Sequence, residues 1–271
     1  MPEREDVVDL YGASYGGFAG DVYSDVRRDA FGDEIGQNSW LTREELDRFI
    51  SELDLRPSSR LLEIGCGSGG PALHLVRSAG CEVVGVDANE KGVANATRMA
   101  RGAGLETRAR FVRADASHPL PFESECFTAL LCIDTVNHLA DRLRVFGEWA
   151  RVLKAGGRLL FTDPITVTGP LGSDEIAIRA SIGYFLFVPH GEDERLLVEA
   201  GLRVLAVEDA TENMAAVADR WLAARAKRAD TLREIEGRET FDGQQRFLQV
   251  AAIVARERRL SRFVYLAEKP T

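Results

Sequence analysis

The run Leu61-Leu62-Glu63-Ile64-Gly65-Cys66-Gly67-Ser68-Gly69-Gly70 carries an apolar strand straight into a glycine-rich turn, with helix-compatible sequence behind it. No other stretch restricts the fold as much. Glycines at 65, 67 and at 69 or 70 let the backbone turn sharply and approach a bound group, because a Cβ there would take up the ligand's space. A strand–turn–helix unit of this kind belongs to a parallel α/β sheet, and the rest of the chain agrees. Residues 60–64, 82–87, 108–114, 127–133, 157–163, 203–208 and 260–267 read as seven strands with helical stretches between them. Residues 71–78 and 91–101 suit right-handed crossovers, the second opening after Asn89 as its N-cap. Residues 143–153 read as a further amphipathic helix, and Gly156 and Gly157 are expected to supply its left-handed C-terminal turn. The expected fold class is α/β, a doubly wound and mostly parallel seven-stranded sheet.

Two regions fall outside that sheet. Residues 1–56 are expected to form a helical arm or lid: Gly12, Gly16, Gly17, Gly20, Gly32 and Gly36 stand among aromatics, and Thr42 and Glu45 open a helix over residues 42–53 with a capping box. Residues 209–259, before the last strand, have helical periodicity through Val217, Leu222, Leu232 and Ile235 and read as a helical insert. With 271 residues, no internal repeat and no low-complexity linker, the chain is expected to be one domain with these two additions. The formal charge is −9, from 34 basic and 43 acidic residues, and residues 1–54 alone hold 5 and 14 of them. The remaining body is neutral, so nucleic acid and anionic membrane are not expected partners, whereas self-association into a homodimer stays open. Cys66, Cys81, Cys126 and Cys132 lack metal-ligand spacing, so no metal is expected and a reducing, cytoplasmic setting is. No apolar run approaches the roughly 20 residues that span a bilayer.

Acids at successive strand ends narrow the ligand. Gly65, Gly67 and Gly70 with Asp87 also fit a dinucleotide fingerprint, so the glycines alone leave a nicotinamide or flavin dehydrogenase as a rival. Glu63, however, lies inside the first strand, where a dinucleotide fold wants an apolar residue, and an acid there can order the loop amides or receive a cationic amine. Asp87 ends the second strand, where a carboxylate accepts ribose hydroxyls, and Asp115 ends the third, within reach of an adenine amino group. Three acids suit a cationic nucleoside and suit a pyrophosphate poorly. For Asp115 a plain helix-cap or surface role is equally open.

From about Arg56 to its end, the sequence resembles the class I S-adenosylmethionine-dependent methyltransferases. Glu63 to Gly69 looks like the family's E-x-G-x-G-x-G loop, Val83 to Asp87 like its ribose strand, Ala114-Asp115-Ala116 like its adenine acid, and Leu153-Lys154-Ala155-Gly156-Gly157 like the turn before its fifth strand. Cys132-Ile133-Asp134-Thr135-Val136-Asn137-His138-Leu139 is similar to a phrase shared by natural-product sugar O-methyltransferases, sarcosine/dimethylglycine N-methyltransferases and quinone-pathway C-methyltransferases. The resemblance implies a Rossmann-like sheet with its last strand antiparallel, residues 57–271 as the methyltransferase domain, and S-adenosyl-L-methionine as cofactor. It assigns Glu63, Gly65, Cys66, Gly67, Gly69, Asp87, Ala88, Asp115, Ala116 and Cys132 to that cofactor, with Trp40 and Gln37 reaching it from the arm.

His138 leaves a strand end and faces the crevice where such sheets present their ligands, and an imidazole of ordinary pKa near 6.5 can take a proton from a hydroxyl or ammonium. A helix cap or an adenine contact is the competing role. The resemblance makes His138 the base and places Asp163, at the end of the fifth strand, beside it; Asp163 before Pro164 also suits a turn. Tyr11, Tyr15, Phe18 and Tyr23 in the arm, with Tyr184, Phe185 and Phe187 after the fifth strand, are candidate walls of a substrate chamber as well as candidate core. The expected function is methyl transfer to an oxygen or nitrogen of a small-molecule acceptor. A C-methyltransferase, a nicotinamide-dependent oxidoreductase and a catalytically silent nucleoside-binding protein are the alternatives.

Overall fold

A computed structural model describes residues 15–16 and 20–271, so the expectations for Tyr11, Gly12, Gly17 and Phe18 lie outside the described residues. Helices α1 (Asp21–Phe31) and α2 (Arg43–Glu52) precede β1 (Arg60–Ile64), α3 (Gly70–Ala79), β2 (Glu82–Asp87), α4 (Glu90–Gly102), β3 (Ala109–Arg113) and β4 (Phe127–Cys132). Helix α5 (Arg142–Val152), β5 (Leu153–Val167), α6 (Ser173–Arg179), the two-residue β6 (Val188–Pro189), α7 (Glu192–Glu199) and β7 (Arg203–Asp209) follow. Helices α8 (Thr211–Ala226), α9 (Ala229–Glu236) and α10 (Arg238–Arg256) then lead to β8 (Leu260–Glu268). The strands form one sheet in the order β3-β2-β1-β4-β5-β8-β7, with β6 attached to the far end of β5. Strands β1 to β5 run parallel, and β8 is antiparallel to both of its neighbours. Seven strands are thus the expected seven, and β6 is the addition.

The sheet is buried on both faces, which is why its central strands read as continuous apolar runs. Leu62 and Ile64 of β1 join Val84, Leu130, Trp149 and Phe161 in one core layer, while Leu61 joins Leu46, Phe49, Leu75 and Leu131 in the layer on the other face. Successive side chains alternate between the two layers. A third cluster packs Phe31 and Trp40 of the N-terminal segment against Met214, Val217, Phe247 and Leu248 of the insert. The two sequence regions outside the sheet therefore meet each other. Among the described residues no helix is long and apolar enough to cross a membrane.

Three local expectations are corrected. The Thr42 hydroxyl accepts from the Glu45 amide at 3.3 Å as an N-cap should, but the Glu45 carboxylate turns away to Arg262 at 2.7 Å, so the capping box is half made. A buried guanidinium outcompetes a solvated amide. Gly156 and Gly157 do not terminate α5: Leu153 leaves it in extended conformation, and the pairing of β4 with β5 jumps from Phe127↔Leu153 to Ala129↔Arg158. The glycines sit inside that bulge, where a Cβ on Gly157 would stand 2.8 Å from the Lys154 carbonyl. Asp134 to His138 make a single 3₁₀ turn over Val136–His138 instead of entering a helix, because Asp134 adopts φ 47°.

Candidate active site

The carboxyl ends of the central strands open into a cavity of about 540 Å³. The loop after β1 forms its floor. The Gly65 and Cys66 amides both donate to the Val86 carbonyl, at 2.8 and 3.1 Å, folding the loop back over β2. Gly65 has φ +72°, and a Cβ on it would lie 2.2 Å from the Thr135 hydroxyl oxygen, so the loop after β4 occupies the space that a side chain would need. Gly67 has φ +50° and faces Tyr15, whose hydroxyl would be 2.9 Å from an added Cβ.

Two acids stand beside this loop. Asp87 at the end of β2 accepts from the Gly67 and Asn89 amides, each at 2.8 Å, which leaves further lone pairs on both oxygens for a ligand. Burial pushes its carboxyl above the usual carboxylate range. Glu63 is 2% exposed, and its Oε2 has no hydrogen-bond partner although it borders the cavity. Burial, with Asp87 nearby, pushes its pKa up to about 8. An orphaned buried carboxyl costs free energy until a donor or a cation meets it. Asp115 also borders the cavity, holding the Ser117 amide at 2.9 Å and His118 at 3.1 Å.

Glu63, Gly65, Cys66, Gly67, Asp87, Ala88, Asp115, Ala116, Trp40 and His138 all line the cavity. Three expected cofactor residues do not. Gly69 caps α3, and a Cβ there would meet Ala96 of α4 at 2.7 Å, so its role is helix packing. Cys132 is fully enclosed in the core layer with Phe161 and Val136. Gln37 is wholly buried; its Oε1 accepts from the Ile35 amide at 2.8 Å and its Nε2 donates to the Asp33 carbonyl, so it shapes the arm from within. Tyr23 and Phe187 pack in side clusters, whereas Tyr15, Tyr184 and Phe185 reach the wall.

The second half of the cavity is lined mostly by aromatic and aliphatic side chains, with Arg179 and Gln244 among them. Trp40, Ile182, Tyr184, Phe185, Trp221 and Phe247 face it, with the Trp40 and Phe247 rings near parallel at 6.5 Å. The His138 ring meets Phe185 edge-on at 4.6 Å, and its Nδ1 lies 2.8 Å from the Tyr184 carbonyl. A carbonyl only accepts, so Nδ1 carries the proton and the lone pair of the neutral ring is on Nε2. Burial pushes the His138 pKa below its ordinary 6.5, with Arg179 adding to that effect while the Tyr184 carbonyl, Asp163 and Asp134 oppose it.

Asp163 stands near enough to His138 for its charge to act on the imidazole, and it is also held by partners of its own. It is fully buried within β5, where its oxygens lie 2.6 Å from Arg142 and accept from the Ile165 amide at 3.0 Å. The buried guanidinium, shared with Asp193 of α7, is the stronger attractor. Sequence reading missed Arg142, Asp193, Arg179, Asn137 and the Arg262 network. Arg262 is fully buried on β8 and holds Asp134 at 2.8 Å and Glu45 at 2.7 Å, while the other Asp134 oxygen accepts from the Trp40 amide at 2.8 Å. A charged residue inside the apolar strand 260–267 was the available signal for Arg262.

Residues 62–161 match the family described as Methyltransferase domain. The chain is 32% identical over 204 residues to the 27-O-demethylrifamycin SV methyltransferase of Amycolatopsis mediterranei, covering 71% of this chain and 75% of that one. A methyltransferase of Streptomyces halstedii is likewise 32% identical over 213 residues, with the same shares. Among solved structures, a cyclopropane synthase of Mycobacterium tuberculosis superposes with a TM-score of 0.82 at 18% identity, over 98% of this chain and 100% of that one, which speaks for the fold alone. These matches set aside the nicotinamide-dependent reading of the glycine loop. The chain belongs to the class I S-adenosylmethionine-dependent methyltransferases and is an enzyme of small-molecule methyl transfer.

Proposed function

We propose that the chain transfers the methyl group to an oxygen or nitrogen of a small, largely apolar acceptor, with His138 as the general base. The observation that carries this reading is the placement of His138: its Nδ1 lies 2.8 Å from the Tyr184 carbonyl and its ring is on the wall between the acidic floor and the aromatic chamber, where burial pushes its pKa down. The residues present fit the cofactor, because the orphaned Glu63 oxygen and the unused lone pairs of Asp87 ask for a cationic nucleoside with hydroxyls. When bound, S-adenosylmethionine supplies an electrophilic methyl carbon on a sulfonium. Asp87 would hold the ribose, Glu63 the cationic amino-acid end, and Asp115 the adenine. The acceptor's O–H or N–H proton passes to His138 Nε2, and the charges of Asp163 and Asp134 favour the imidazolium that results. Alignment in a closed site supplies on the order of 7 to 11 kcal/mol of barrier lowering, and the base about 10² to 10⁴-fold. The likeness to the 27-O-demethylrifamycin SV methyltransferase of Amycolatopsis mediterranei supports an oxygen acceptor.

Labelled methyl groups from S-adenosylmethionine, followed into a host extract, identify the acceptor. With it in hand, His138→Ala is expected to lower kcat by about 10² to 10⁴-fold while S-adenosylhomocysteine affinity stays within twofold. The wild-type kcat profile should show an acidic limb below pH 6.5, since the active form is the neutral imidazole and its pKa is depressed. The limb should vanish in the variant. Wild-type kcat in His138→Ala would overturn the reading.

Glu63 yields a second expectation. Its carboxyl is protonated in the free protein below about pH 8, and a cationic ligand lowers that value. Binding below pH 8 therefore releases a proton, and cofactor affinity should rise with pH through that window. Calorimetry at pH 7 in two buffers of different ionisation enthalpy reads the release directly, and Glu63→Gln should abolish it. Equal apparent enthalpies in the two buffers would show Glu63 already ionised.

A further inference from the structure

We propose that Arg142 is a positioning residue for His138: by gripping the strand-like strap of residues 184–187 it holds the Tyr184 carbonyl on Nδ1 and so sets which ring nitrogen faces the cavity. This rests on the reading of His138 as base, but its first test does not need an acceptor. Arg142 is the first residue of α5, where a cation is disfavoured by the positive end of the helix dipole. It is nevertheless fully buried between Asp163 and Asp193, two carboxylates from different elements on one guanidinium. A single acid would neutralise it. Both acids meet Nη1, and because the guanidinium is planar with donors in rigid directions, holding that arm aims the other. That arm, Nη2, donates to the Leu186 carbonyl at 3.2 Å.

The same residue of the strap is pinned from its other side, since the Leu186 amide donates to the Asn137 carbonyl at 2.8 Å. Asn137 is the neighbour of His138 in the 3₁₀ turn. Two residues before Leu186, the Tyr184 carbonyl takes the His138 Nδ1 proton, and Phe185 between them packs on the imidazole. The strap has no ladder of its own between α6 and β6, and these contacts with Arg142 and with the Asn137–His138 turn hold its backbone while Phe185 and Phe187 pack at its sides. The charged groups facing the imidazole are Asp163 on β5, Arg179 on α6 and Asp134 after β4.

Arg142→Lys keeps a cation for the two acids and loses the second arm to Leu186. Nitrogen-detected imidazole spectra of the full chain, with the His138 signal identified by its loss in His138→Ala, then report the ring. In the wild type the neutral ring should be protonated on Nδ1 and titrate below 6.5. In Arg142→Lys the strap loosens, the ring gains water, the midpoint should rise to about 6.5, and the proton should move in part to Nε2. Asp193→Asn, which slackens the guanidinium plane without removing Arg142, should give a smaller shift in the same direction, and it keeps the test alive if the lysine variant does not fold. S-adenosylhomocysteine affinity should stay within twofold in both. An unchanged tautomer and midpoint in the folded variants would overturn the proposal. With the acceptor, Arg142→Lys should lower kcat at least about tenfold when His138 is present and leave the residual rate of His138→Ala unchanged. Equal losses in both backgrounds would make Arg142 structural only. If His138→Ala were fully active, the role of His138 as base would fall while the imidazole spectra still decided whether Arg142 positions the ring.

Discussion

Replacing Arg142 with methionine is expected to destabilise the chain by about 3 to 5 kcal/mol, because it strands Asp163 and Asp193 in the core without a counter-charge. The loss should depend on pH with a defined sign. Asp193 ordinarily titrates near 3.8 and, through burial and the neighbouring Asp163, is raised to about 7 in the fold. The folded state then binds more protons than the unfolded one, so this group's contribution to stability declines as pH rises from 3.8 to 7. Removing the arginine raises the Asp193 carboxyl further and steepens that decline. Urea unfolding of wild type and variant at pH 5, 6, 7 and 8 should therefore show a gap that widens with pH. A gap that stays constant would mean that the acids are neutralised by something other than Arg142.

Gly67→Val is expected to abolish cofactor binding while leaving the sheet folded. At φ +50° a β-branched residue is strained by about 1 to 2 kcal/mol, and its Cβ would press on the Tyr15 hydroxyl 2.9 Å away. The loop can relieve both only by moving, and moving it breaks the bond from the Gly67 amide to Asp87. The damage stays local because Gly65, Cys66 and Gly69 are tied to Val86 and to one another independently. Calorimetric titration with S-adenosylhomocysteine should give no heat of binding, with a melting temperature lowered by only a few degrees. Wild-type affinity would remove the loop from the cofactor site.

How far the sequence spoke depended on how local the cause was. The loop after β1 was readable because positive backbone angles at Gly65 and Gly67 demand glycine where they occur. The alternation of Leu61 and Leu62 between two core layers was readable because strand period needs only neighbours. The ion pairs around Asp163 were hidden for the opposite reason: Arg142 and Asp193 lie 21 residues before it and 30 after it, and no spacing rule links three elements through one guanidinium. Gln37 sat in the right segment and points the wrong way, since its amide serves the turn around Ile35. The half-made capping box at Glu45 failed likewise, through a competitor on the last strand.

The place of β8 has a consequence for how the enzyme comes into being. It follows β7 and the helical insert in the chain, yet in the sheet it lies between β5 and β7. While the chain is still emerging from the ribosome, β1 to β5 can pair with one another, but among the described residues β7 has only β8 as neighbour in the sheet and must wait. Arg262 waits with it, and until Arg262 arrives Asp134 and Glu45 have no shared cation to join the first helices to the loop bearing His138. Such closure of the most distant parts of the chain is slow relative to local pairing. Nascent chains would thus hold a formed glycine loop before they hold a finished chamber, and catalytic competence would wait on the arrival of β8.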